Sequence, residues 1–422
     1  MAPFSLKLLT FTLILTILIT LPDSTLSFLF PVSFAISVIY ALRYLYNEKW
    51  LYSLVLVFYI TPFIYLFFPE DYLGQLYPLE YLFGFVKSNQ EELKSLFTVG
   101  SLSLLNLLTL FGSSESGKIF INTNYIKSIS KINSNILGII GTLLLFLALP
   151  LTNNLAIIGG YVDSLNSTGA GVFLILSSAL LVFNFTNAKY KALPLIYLLI
   201  FFAWGLLNGR RVEQLGILIL LAYYFCRKYL LNESKKLNWY IAVTVLIALV
   251  PIVNIIFNFW GYYRIGEEFD WGRLTITTAP GIIYAIASTI SLQKFGVSPD
   301  GDFFGNYILR FFGVPLEDFS SWVQEVNFTL GGMHIIAEPF MYYGTLGAIL
   351  SSVILFLFMR FAEAADRIYK LILFTPVLII MIPRYIWYGH IYALRTFQVF
   401  ILLIAIIESY KFIRKIQKRG AL

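Results

Sequence analysis

The sequence predicts an all-α, polytopic integral membrane protein, and three observations carry that prediction. First, 59% of its residues are hydrophobic and only 13% charged, with a mean hydropathy of +0.79. A water-soluble domain of that make-up could not cover itself with polar surface. Second, the apolar residues gather into about twelve stretches near the length of roughly 20 residues that crosses a bilayer as a helix. Third, the charges between those stretches alternate. With the N-terminus inside, the inner connections hold 20 of the 30 basic residues and six of the 23 acidic ones, a net +14 against −7 outside. That is the positive-inside bias, and it places both termini in the cytoplasm.

Taken in order, the first apolar run, 5–21, resembles a signal sequence in composition. No small-residue cleavage site follows Leu21-Pro22-Asp23, so it is expected to stay as the first span. Spans are then expected at 25–43, 50–68, 95–112, 136–152, 169–187, 192–208, 212–230 and 238–260, the last completing a region of nine helices over 1–260. An outer loop at 69–94 is acidic and rich in tyrosine. A much larger outer, extracytoplasmic loop covers 261–336, between Trp260 and the Gly331-Gly332 pair. Within it, 282–292 is apolar but too short to span, and is expected to be re-entrant or interfacial. The segments 303–312 and 314–328 mix aromatic and acidic faces as interfacial helices do. Spans at 337–359, 370–388 and 395–412 and a basic cytoplasmic tail complete the third region, 337–422. The net charge of +7 is accounted for by topogenic lysines and arginines and calls for no nucleic-acid partner. With one cysteine, Cys226, and two histidines, neither an intrachain disulfide nor a dedicated metal site is expected.

Chemistry is expected where the large loop turns back into the membrane, at 331–347. On an unbroken helix His334 and Glu338 would share one face, and either could serve as a general base. The small residues Gly344, Gly347, Ala348 and Ser351 would let the other face pack closely against a neighbour. Pro339 disfavours helical geometry at Glu338 and leaves the Ile335 carbonyl without its usual donor, so the helix is expected to kink or begin at the acid. Arginines kept on the outer side are the other signal, because membrane insertion disfavours them there. After the sixth span they are Arg210, Arg211, Arg264, Arg273, Arg310, Arg384 and Arg395, with Lys294 the only lysine. A guanidinium presents a planar fork suited to phosphate oxygens.

The pattern Gly209-x-Arg211-x-Glu213-x-Leu215 entering a span, followed by Ile336-Ala337-Glu338-x-Phe340-x-x-Tyr343-Gly344-x-x-Gly347 at the end of one large outer loop, resembles bacterial O-antigen and oligosaccharide repeat-unit polymerases of the Wzy type. The chain departs from that pattern in having Phe340, Tyr342 and Tyr343 after the acid. The related O-antigen ligases are similar too, with a functional histidine near the place of His334. The resemblance implies a GT-C-like fold in the cytoplasmic (inner) membrane. It implies a glycosyltransferase that polymerises undecaprenyl-diphosphate-linked repeat units into O-antigen, capsule or another surface polysaccharide, on the outer face and without cofactor or metal. Glu338 or His334 would be the catalytic base, and Arg210, Arg211, Arg273, Arg310, Arg384 and Arg395 would hold the diphosphate. Expected partners are the lipid-linked glycan donor and acceptor, membrane lipids and a chain-length regulator protein. The alternatives are a ligase or other lipid-sugar-dependent transferase, and a transporter of a lipid-linked or anionic solute.

Overall fold

The computed structural model describes residues 4–47, 49–69, 80–112, 134–151, 175–181, 192–207, 215–221, 278–314, 319–327, 332–369 and 374–420, with a few single positions between them. Among these residues the regular elements are helical, and the one β pairing is an isolated parallel bridge between Met333 and Tyr388. Four helical segments are long and apolar enough to cross a membrane: Trp50–Phe67, Gln90–Leu110, Thr345–Tyr369 and Ile391–Ile413. Shorter apolar helices at Phe4–Thr20, Phe30–Tyr46, Gly138–Leu147 and Phe374–Tyr388 fall on expected spans. The chain is therefore a helical protein built for a membrane. The expected spans at 169–187, 212–230 and 238–260 lie largely outside the described residues.

Chain contacts divide the protein into two units. The first takes in residues 1–119, 270–361 and 382–392. It begins with α1 (Phe4–Thr20), α2 (Asp23–Phe28), α3 (Phe30–Tyr46) and α4 (Trp50–Ile60). Pro62 then removes a backbone donor, and the chain tightens into a 3₁₀ turn over Thr61–Phe67. Next come α5 (Glu80–Ser88) and α6 (Gln90–Leu110), the latter buried along most of its length among α1, α2 and α3. Ser95 donates to Asp23 at 2.6 Å, joining α6 to α2 at ends that the charge pattern assigns to one side.

The segment 282–292, expected to be re-entrant or interfacial, is buried in protein. It lies inside α9 (Thr278–Lys294), whose residues 279–292 are all buried. Rather than resting at an interface, α9 packs against α5, α6 and the 3₁₀ turn, because its small and hydroxylated side chains permit close neighbours. Its hydroxyls find protein partners: Asn89 donates to Ser291 at 2.8 Å and Asn327 to Ser288 at 2.6 Å. Lys294 closes the end of α9 on Glu92 at 2.5 Å and Asn89 at 3.1 Å. The two loops assigned to the same side of the membrane are thus packed on one another.

Helices are expected in the large loop at 303–312 and 314–328, and each segment contains one. The first, α10, runs Phe303–Phe311, with the Asp302 carboxylate accepting the Gly305 amide as its N-cap. The second, α11, covers only Phe319–Val326. The expected single span from 337 is instead two helices, α12 (Ala337–Tyr343) and α13 (Thr345–Tyr369). They are separated at Gly344, whose φ of 58° is in the region that favours glycine. Gly347 does allow a close approach, but to the chain just before it: a Cβ there would meet the Pro339 carbonyl oxygen at 2.1 Å.

In the second unit, residues 120–269, 362–381 and 393–422, α7 (Ser134–Leu151) meets the stretch 175–181 through Ser177, which donates to the Gly141 carbonyl at 2.7 Å, and α8 covers Ala192–Leu207. A Cβ on Gly216 would lie 2.2 Å from the Ile380 carbonyl oxygen, so that position admits no side chain. The last two helices are α14 (Phe374–Tyr388) and α15 (Ile391–Gly420), and their Phe374 and Phe400 rings pack at 5.3 Å.

Candidate active site

The site is built on the short connection 333–336 that feeds Glu338 into α12, and two prolines and the end of a helix explain its hold. The last carbonyls of a helix have no donor of their own. Those of Ile386 and Trp387, near the end of α14, accept the amides of Ile335 (3.0 Å) and Met333 (2.7 Å). Pro62 lacks the amide that would have served the Phe58 carbonyl, and the Trp387 indole donates there at 2.7 Å. Pro339 likewise leaves the Ile335 carbonyl open. Ser351 donates to it at 2.7 Å and His390 Nε2 at 3.0 Å.

His334 sits on this connection and not on the helix, so it shares no face with Glu338. Its ring is fully buried, edge-on to Tyr59 (4.9 Å) and Phe63 (5.3 Å). Nε2 donates to the Tyr59 carbonyl at 3.3 Å, and Nδ1 accepts the Ile336 amide at 3.4 Å. His390 is equally engaged, with the Tyr385 hydroxyl at 3.3 Å from Nδ1. Burial pushes both imidazoles down to about 3, the carbonyl each one donates to opposing the shift. Both histidines are therefore neutral clamps on the connection.

Glu338 is placed differently. Pro339 is tolerated in the first turn, where its missing amide costs nothing, and α12 accordingly starts at Ala337. Glu338 is buried, and the Tyr307 hydroxyl of α10 donates to its Oε2 at 2.5 Å. The Arg310 guanidinium lies over that same Tyr307 ring, 5.4 Å from its centre. One turn further along α12, Tyr342 accepts from Asn306 at 3.2 Å. Gln293 of α9 donates to the Phe340 carbonyl at 2.9 Å and fixes α12 from another direction. Arg384 is buried between Tyr388 (4.6 Å) and Tyr392 (4.7 Å) and donates to the Tyr392 hydroxyl at 2.8 Å. Its turn meets α10 through His390, whose ring packs on Phe303 at 5.5 Å and Tyr307 at 6.4 Å.

Of the residues singled out from sequence, Glu338, His334, Arg310 and Arg384 fall in the first unit around α10, α12 and the turn at 389. Arg395 stands near the start of α15 and belongs to the second unit. Arg210, Arg211 and Arg273 lie outside the described residues. Sequence reasoning passed over Tyr307, Asn306 and Tyr392. Tyr307 and Arg310 stand three apart and so on one side of α10, a spacing that could have drawn attention to them. Among the described residues no group of three or more histidines, cysteines and acids is placed to hold a metal. No family description, curated protein or solved structure matches the chain.

Proposed function

We propose that this protein polymerises undecaprenyl-diphosphate-linked oligosaccharide repeat units on the outer face of the cytoplasmic membrane. The observation that supports the reading is a buried carboxylate, Glu338, held by Tyr307 beside Arg310 where the large loop returns to a membrane-length helix. In the proposed reaction Glu338 takes the proton of an acceptor sugar hydroxyl. The hydroxyl oxygen bonds to the anomeric carbon of the growing glycan, and the bond from that carbon to the diphosphate oxygen breaks with its electron pair. Arginines neutralise the charge that develops on the leaving diphosphate. Arg310 and Arg384 belong to the same unit as Glu338, and Arg210, Arg211, Arg273 and Arg395 are the other arginines of the proposed set. A ligase-like reading would place the base on His334, whose two ring nitrogens are already committed to backbone groups.

Purified protein given a lipid-linked repeat unit should yield longer glycans and released undecaprenyl diphosphate. Movement of the intact substrate across a vesicle membrane with no new glycosidic bond would favour a carrier instead. Reporter fusions after residue 300 should report the outer side, and a cytoplasmic signal there would remove the site from its substrate.

A further inference from the structure

The short helix α10 has its polarity inside out. At about 100° per residue, Phe303, Asn306, Tyr307 and Arg310 share one face, and that face turns inward. Phe303 is buried, Asn306 reaches Tyr342, and Tyr307 reaches Glu338. The opposite face is apolar and points away from the protein, with Phe304 50%, Ile308 58% and Phe312 78% exposed. A helix beside water buries its apolar stripe and exposes its polar one, so this face of α10 calls for an apolar neighbour.

The same surface continues onto a membrane-length helix. Phe304 meets the Tyr343 ring at 6.4 Å, and Leu346, at the first turn of α13, is 54% exposed. From there the lipid-facing side of α13 runs on through Leu357. We propose that the outward face of α10 is a seat for bilayer acyl chains at the membrane–water boundary. The seat does not depend on the glycosyl-transfer reading, because it follows from the polarity of one helix.

The test places nitroxide labels at Phe304→Cys, Ile308→Cys and Phe312→Cys, each in a Cys226→Ser background, with Asp300→Cys as the loop control, in lipid nanodiscs. Collisions with oxygen relative to a water-soluble nickel complex should be several-fold higher at the three helix positions than at 300. Equal ratios at all four positions would overturn the seat, and so would dipolar broadening between labels on two copies of the chain. A second measurement uses the unmodified protein in nanodiscs carrying a phospholipid with a diazirine on its acyl chain. Illumination should attach lipid to the peptide spanning 303–312 as well as to α13. Adducts on α13 with none on 303–312 would overturn the proposal whatever the fate of the cysteine variants.

Discussion

Glu338 and Asp366 are both buried carboxylates near helix ends, and the fold uses them in opposite ways. Asp366 accepts the amides of Phe374 (2.8 Å) and Thr375 (3.0 Å), one on each oxygen, and so caps the start of α14. Two of its partners are main-chain groups that cannot rotate away, beside the Thr375 side chain, which is how a buried charge is used to fix structure. Glu338 is held by a phenol on a short helix of the large loop. A side-chain hydroxyl can give way to a substrate hydroxyl of the same chemistry, whereas a capped backbone cannot. Burial alone therefore does not mark a reactive acid. On the proposed reading, the kind of partner does.

The largest expected effect lies at Glu338. Glu338→Gln keeps size and hydrogen bonding but removes basicity, and glycan elongation should fall on the order of 100- to 10,000-fold at unchanged protein level. His334→Ala should lower the yield of folded protein while turnover per folded molecule stays measurable. If instead the histidine variant is dead and Glu338→Gln nearly normal, the two roles are reversed.

Acidification should weaken the clamp side of the comparison. Both histidines have folded values near 3, below the ordinary value of about 6.5. As pH falls from that value the unfolded chain takes up protons that the folded chain refuses. Stability is thus complete above pH 6.5 and is lost on the way down, at about 1.4 kcal/mol per pH unit for each histidine. Thermal unfolding of the detergent-solubilised protein between pH 7 and 5 measures the slope, and His390→Gln should make it shallower.

Asp366→Ala removes a cap and should cost about 2 kcal/mol of stability. Per folded molecule its polymerising activity should equal that of the parent. An activity loss as large as that of Glu338→Gln would end the distinction between the two acids.

Tyr307→Phe sharpens it most finely. Losing one hydrogen bond to a charged group is worth about 1.5 kcal/mol, or about a tenfold change in rate. The loss should show in turnover and not in melting temperature. A fall in melting temperature with normal turnover would make Tyr307 a second cap.

Composition, charge alternation and apolar run length were enough to establish a helical membrane protein, because transfer from water to lipid is summed over each residue wherever its neighbours lie. The prolines were equally legible: Pro339 announced both the start of α12 at the acid and an unserved Ile335 carbonyl, since a missing amide is a local property. Which groups would fill that carbonyl was not legible, for Ser351 and His390 stand 16 and 55 residues away in the chain. Nor was the burial of 282–292, whose apolar sequence suits a lipid boundary and a protein core alike. Helical spacing put His334 and Glu338 on one face, and only the resemblance to the polymerases favoured Glu338 as the base. Only the tertiary structure, by seating one ring between Tyr59 and Phe63 and bringing Tyr307 to the other residue, separated a clamp from a candidate base.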